Sequence, residues 1–235
     1  MDPQLPIFPL SSVLFPGLVL PLHIFEERYR ELVRHLVGQP AGAPREFGVV
    51  AIRKGWEVQP ADDEAAVRTQ LSGPVTLHDV GCTAELRRVT ELADGRFDLV
   101  TVGRRRFRVV AVNESAAPYL TADVEWLPEE EKADEVADLL APRVLAAFRR
   151  YLELIRTDSG AIAEQLPEEP VVLSHLVAAT AALTVDDRQR LLAAPDAANR
   201  LRAELRLLNR EVALLRQVRA VPVPLPELAV PASPN

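Results

Sequence analysis

The sequence predicts an α+β protein: a small, partly closed β-barrel or folded sheet with one inserted helix, followed by a helical region. Three observations predict it. Short β-branched and aromatic runs separated by turn residues fill the first half. Asp94-Gly95 lies between two of those runs and is the strongest short hairpin signal in the chain. From about Glu129 the apolar period lengthens to that of a helix. The expected boundaries are 1–127 for the β domain, 128–219 for the helices and 220–235 for a proline-rich tail.

The opening stretch LPIFPLSSVLFPGLVLPLHIF is apolar enough to suggest a membrane span, which takes about 20 such residues. Pro6, Pro9, Pro16 and Pro21 each remove a backbone donor, so it reads instead as edge strands and turns entering a buried domain. Phe8, Phe15, Pro21 and Phe25 are therefore expected in the core. The absence of Lys or Arg before Arg28 speaks against a secretory signal. IFEERYRELVRHLVG places Phe25, Tyr29, Leu32 and Leu36 at helical spacing and stops at Gly38. Strands are expected in EFGVVAIRKGWEV, on both sides of Asp94-Gly95, and in YLTADVEWL.

Beyond the change of period, Val136, Leu140, Val144, Phe148 and Leu152 form a helical stripe interrupted by Pro142, which predicts a kink or break. A second helix follows Pro167. A third opens on Thr184 and closes before Pro195. Asp196 can cap the last, whose Leu201, Leu205, Leu208, Val212 and Leu215 read as the buried seam of a helix in a bundle. The last fifteen residues hold five prolines and read as an extended tail.

Composition narrows the function. The chain is 48% hydrophobic and 26% charged, with net charge −7. The acidic excess is even: 17 acids face 14 bases through residue 126, and 17 face 13 afterwards. Neither half has the basic surplus that drives phosphate-backbone binding. The single cysteine, Cys82, permits no internal disulfide and fits a reducing cytoplasm. High Ala, Arg and Pro with only two lysines, Lys54 and Lys132, suggests a GC-rich bacterial genome.

No catalytic, cofactor or metal site emerges. Neither lysine follows a glycine-rich phosphate loop. Ser174 and His175 are neighbours on a helix, where adjacent side chains diverge by about 100° and form no nucleophile-base pair. The four histidines lack ligand spacing, and the acids at 62–64 and 129–131 read as solvated. The run GRRRFRVV is the one candidate phosphate grip. Strand alternation would put Arg104, Arg106 and Arg108 on one face, although neighbouring acids can equally pair with them.

Four stretches together resemble one family, the N-terminal substrate-binding domain of the ATP-dependent protease Lon. They are FPLSSVLFPGLVLPLHIFEERYREL at 8–32, GCTAELRRVTELADGRFDLVTVGRRRFRVV at 81–110, PYLTADVEWLPE at 118–129 and DDRQRLLAAPDAANRLRAELRLLNREVALL at 186–215. The resemblance implies a PUA-like β domain followed by a helical bundle, and recognition of proteins or exposed peptide segments without catalysis. It is to the stand-alone form, without the ATPase and protease modules of the family's enzymes. Trp56, Tyr119 and Trp126 are the candidate substrate contacts. The expected partners are unfolded or extended protein segments and a protease. RNA binding through the Arg104–Arg108 strand is the alternative.

Overall fold

The computed structural model describes residues 3–40, 42–54, 76–113, 117–128, 134–155 and 166–218. The chain divides into two compact units, one formed by Met1–Glu129 with Val185–Ala193, the other by Glu130–Thr184 with Ala194–Asn235.

Among its described residues the first unit holds seven strands and two helices: β1 (Gln4–Leu10), β2 (Val19–Ile24), α1 (Glu27–Val37), β3 (Glu46–Lys54), β4 (Thr76–Leu77), β5 (Val80–Glu91), β6 (Phe97–Asn113) and β7 (Thr121–Trp126), with α4 (Val185–Leu192) added from far along the chain. The strands pair in the path β1-β7-β6-β5-β3-β4, and β1 also pairs in parallel with β3, so the sheet returns on itself. β2 lies off that path, antiparallel to the first half of β6.

Alternation along β1 sends residues to two apolar layers. Leu5 and Ile7 join Val50, Phe107, Ala122 and Val124 in one buried cluster. Phe8 turns the other way and stacks on Tyr29 of α1, ring centroids 4.1 Å apart. Tyr29, Leu32, Val33 and Leu36 form the buried stripe of α1. Phe15 is buried as expected, but Phe25 is 48% exposed and Pro21 is exposed. The helix begins only at Glu27, so Phe25 never joins the stripe that its spacing suggests.

At the Asp94-Gly95 hairpin, Gly95 N–H donates to Leu92 O at 2.9 Å, and Leu92 N–H closes on Arg96 O at 2.8 Å. Gly95 takes φ +77°, a conformation that costs glycine least. Gly103 answers a different need, close approach. Its N–H donates to Leu18 O and its carbonyl accepts from Gly17 N–H, both at 2.9 Å, and an added Cβ would strike the Phe15 carbonyl.

The second unit packs α2 (Glu135–Ile155) against α5 (Ala197–Val218) and α3 (Pro170–Thr180), with α3 also touching α5. Side chains cap their starts. Asp134 accepts from Ala137 N–H at 2.7 Å, Glu169 from Val172 N–H at 2.7 Å, and Asp196 from Asn199 N–H at 2.6 Å. α2 runs through Pro142 unbroken. Pro142 lies on the exposed face, where water can satisfy the carbonyl it leaves without a donor. In the first turns of α2 the buried positions are Ala137 and Ala141, while Val136 is exposed. The bulky residues alone thus misplace the stripe by one position there.

Candidate functional site

The arginine strand does not form the face that alternation predicts. Cys82 pairs with Arg106 and Ala84 with Gly103, so Thr83 alone faces Arg104 and Arg105 across a bulge. The Thr83 hydroxyl accepts the Arg105 N–H there at 3.1 Å. Arg104 turns to Glu85 at 2.9 Å and Arg105 to Glu46 at 2.7 Å. Arg106 is only 2% exposed. Its guanidinium donates to Leu192 O at the end of α4 and to Pro128 O, both at 3.0 Å. A cation at a helix C-terminus also meets the negative end of the helix dipole. This removes the central arginine from any phosphate-binding row.

α4 is held to the sheet by a second buried bond, Gln189 Nε2 donating to Val80 O at 2.7 Å. His78 lies 3.8 Å from Asp186 beside it. Burial and the nearby Arg53 hold its imidazole below the usual range, with Asp186 and Asp79 acting in the opposite direction.

The named aromatic candidates fall in different places. Trp56 lies outside the described residues, as do the acids at 62–64 and 129–131. Trp126 stands edge-on to Phe107, centroids 6.4 Å apart, and carries the Arg105 guanidinium 3.8 Å above its ring. It packs against the buried cluster. Tyr119 is 8% exposed and sits at the opposite end of β7, edge-on to His35. It lines a cleft of about 630 Å³ together with Leu5, Pro6, Leu36, Gln39 and Glu46. Burial and the nearby Glu31 carboxylate push its hydroxyl above the usual range. Tyr119 and Trp126 therefore do not share a site.

A feature that the aromatic residues did not signal is the free side of β2, which pairs only with β6 among the described residues. Val19 and Phe25 are exposed at its two ends. A cavity of about 190 Å³ lies alongside, lined by Leu22, Ile24, Phe8 and Tyr29. Pro21 contributes no N–H at its middle, a common way of blunting an open edge.

Elsewhere the chemistry is structural. Ser174 Oγ donates to Val171 O at 2.8 Å and accepts from Arg200 Nη1 at 2.9 Å. Cys82 is buried, its thiol donating to Thr83 O at 3.5 Å. Among the described residues no three His, Cys, Asp or Glu side chains gather as a metal site, and no helix is long and apolar enough to cross a membrane.

The family model for the substrate-binding domain of ATP-dependent protease La (LON) matches residues 4–210. The chain belongs to the Lon substrate-binding domain family. It is 30% identical over 217 residues to Lon protease 2 of Myxococcus xanthus, a match covering 90% of this chain and 24% of that protein. Lon protease 1 of Thermus thermophilus is 34% identical over 146 residues, 59% of this chain and 18% of its own. The chain thus spans about a quarter of the first of these Lon proteases. The fold matches the N-terminal domain of a Mycobacterium avium complex Lon protease, with TM-score 0.62, 18% identity, and 90% and 98% of the two chains covered. A Lon N-terminal domain protein from Xanthomonas campestris gives TM-score 0.55 at 21% identity, covering 94% and 99%. The Lon-type region therefore extends from β1 into α5, and the residues matched are those of a substrate-recognition domain.

Proposed function

We propose that this chain binds extended or unfolded protein segments and performs no chemistry of its own, acting as a client-binding or adaptor module in protein quality control. The observation that carries this reading is the match of residues 4–210 to a substrate-binding domain. The first unit offers suitable surfaces: the free side of β2 with exposed Val19 and Phe25, and the cleft beside Tyr119. Backbone hydrogen bonding along a strand edge gives affinity with little demand on client sequence. Ordering a flexible segment offsets much of the gain, so affinities near the micromolar range are expected. In this reading the first unit is PUA-like, the second is a helical bundle, and a separate protease is the downstream partner. The cytoplasm is the compartment, in keeping with the lone Cys82. The RNA alternative is not favoured, because Arg106 is buried while Arg104 and Arg105 are paired with acids.

The test is a titration of a fluorescently labelled, permanently unfolded protein with the full chain. Saturable binding that persists as salt is raised supports the reading. Absence of binding at high micromolar concentration removes it.

A further inference from the structure

Between α4 and the sheet lies a cavity of about 360 Å³, walled by Arg53 of β3, His78 and Asp79 from the β4–β5 turn, and Asp186, Gln189 and Arg190 of α4. Two polar atoms of that wall, His78 Nε2 and Gln189 Oε1, are buried and have no hydrogen-bond partner among the described residues. Both residues are only 7% exposed. Buried polar groups are nearly always paired in folded proteins, so two orphans in one wall point to a shared partner.

The character of each atom is set by its surroundings. The Gln189 amide must present its nitrogen to the Val80 carbonyl at 2.7 Å, so the unpaired end is the oxygen, which can only accept. Ala51 O holds the His78 backbone N–H at 2.9 Å and so fixes where the ring starts from. Burial and Arg53 favour the neutral imidazole. With its proton on Nδ1, Nε2 is an acceptor too. Asp186 Oδ1 lies 3.8 Å from Nε2, too far for a direct hydrogen bond but close enough for one donor group to bridge the two. The two arginines of the wall already have acids: Arg53 stands 3.7 Å from Asp79, and Arg190 3.2 Å from Asp187. Among the described residues, Asp186 is the carboxylate of this wall without a cation of its own.

From this arrangement the geometry points to the cavity as a binding site for a primary ammonium group, from a lysine side chain or a small free amine, held by Gln189 Oε1, His78 Nε2 and the Asp186 carboxylate. An ammonium carries three N–H donors and one positive charge, which matches three acceptors of which one is charged. A guanidinium spreads five donors in a planar fork and would leave some unpaired, while an anion finds no donor on the two buried atoms. The Asp186 side chain is 71% exposed, so it can swing outward to admit the group and then close on it. This inference is independent of the proposed function and adds a second binding chemistry to the first unit.

The test uses the full chain, with methylammonium, Nα-acetyl-lysine amide and the Nε-acetylated form of the latter as probes. Nitrogen NMR follows the His78 ring and the Gln189 side-chain amide. The expected result is a saturable shift of both signals by methylammonium at about 10 mM, the range open to a ligand of two non-hydrogen atoms, and none by the Nε-acetylated form. Asp186→Asn and His78→Phe both leave the Gln189–Val80 bond in place, and each should weaken binding about tenfold. Amide exchange over residues 185–193 reads whether α4 stays docked; should His78→Phe undock it, Asp186→Asn alone decides. Tighter binding of the lysine amide than of methylammonium assigns the group to a polypeptide side chain, and equal binding assigns it to a free amine. No shift at about 100 mM methylammonium, an equal response to the Nε-acetylated form, or unchanged affinity in Asp186→Asn overturns the site and leaves the cavity to water.

Discussion

Replacing Arg106 by Ala should detach the C-terminal end of α4 from the sheet. The guanidinium reaches two main-chain carbonyls, Leu192 O and Pro128 O, each at 3.0 Å, from a position only 2% exposed. A hydrogen bond from a charged donor contributes about 1.5–3 kcal/mol, and deleting it leaves a buried acceptor without its partner. Two such bonds made by one group are not fully additive, so the expected loss is about 3–5 kcal/mol. For a chain of this length that corresponds to a fall in Tm of about 6–20 °C. Arg106→Lys should fall between parent and Ala, because a single ammonium lacks the planar fork that spans both carbonyls. Urea denaturation measures the loss, and hydrogen exchange across residues 185–193 should show α4 opening more than β5 or β6. Exposed Arg108 is the control, expected within about 0.5 kcal/mol of the parent when changed to Ala. If Arg106→Ala is as mild as Arg108→Ala, the anchoring argument is wrong.

Three further outcomes follow from the same structure. Burial raises the Glu204 carboxyl well above its ordinary 4.5, with Arg200 acting in the opposite direction. The folded chain therefore holds that proton more tightly, and the resulting stability, full below about pH 4.5, is lost as pH rises through the higher folded value. Glu204→Gln should flatten that slope, as seen in urea midpoints between about pH 5 and pH 8; an unchanged slope would assign it to other groups. Gly103→Ala drives a Cβ into the Phe15 carbonyl and should cost about 2 kcal/mol or more, read by thermal denaturation, whereas a neutral result would show that the 15–18 turn yields freely. Asp196→Ala removes the bond to Asn199 N–H and should cost about 1 kcal/mol, with increased amide exchange in the first turn of α5.

Local signals in the sequence located most elements. Asp94-Gly95 marks its hairpin because the turn needs a positive φ that glycine adopts cheaply. Asp196 begins α5 because a short carboxylate satisfies an otherwise unpaired N–H. What stayed hidden depends on partners distant in sequence. Arg106 is buried because a bulge at Thr83 shifts the strand phase and a helix some eighty residues later supplies its acceptor, Leu192 O at |i−j| = 86. α4 belongs by contact to the first unit, whereas the period reading groups it with the other helices of 128–219. Arg200 and Glu204 are both buried on α5, although a charged pair four residues apart ordinarily marks a solvated face. Of the candidate site, Tyr119 was named from its residue type alone. The cleft beside it is lined by residues as far apart as Leu5, Gln39 and Tyr119, which no spacing within the chain reveals.

Recognition of unfolded polypeptide, rather than of nucleic acid or native protein, is the proposed role of this chain. The most direct measurement offers one protein in two forms, native and permanently unfolded, each labelled, to the full chain over a series of salt concentrations. The expected result is saturable binding of the unfolded form only, with little salt dependence and a negative heat-capacity change from apolar burial. Equal affinity for both forms, or binding only to a polyanion with a steep salt dependence, would contradict it.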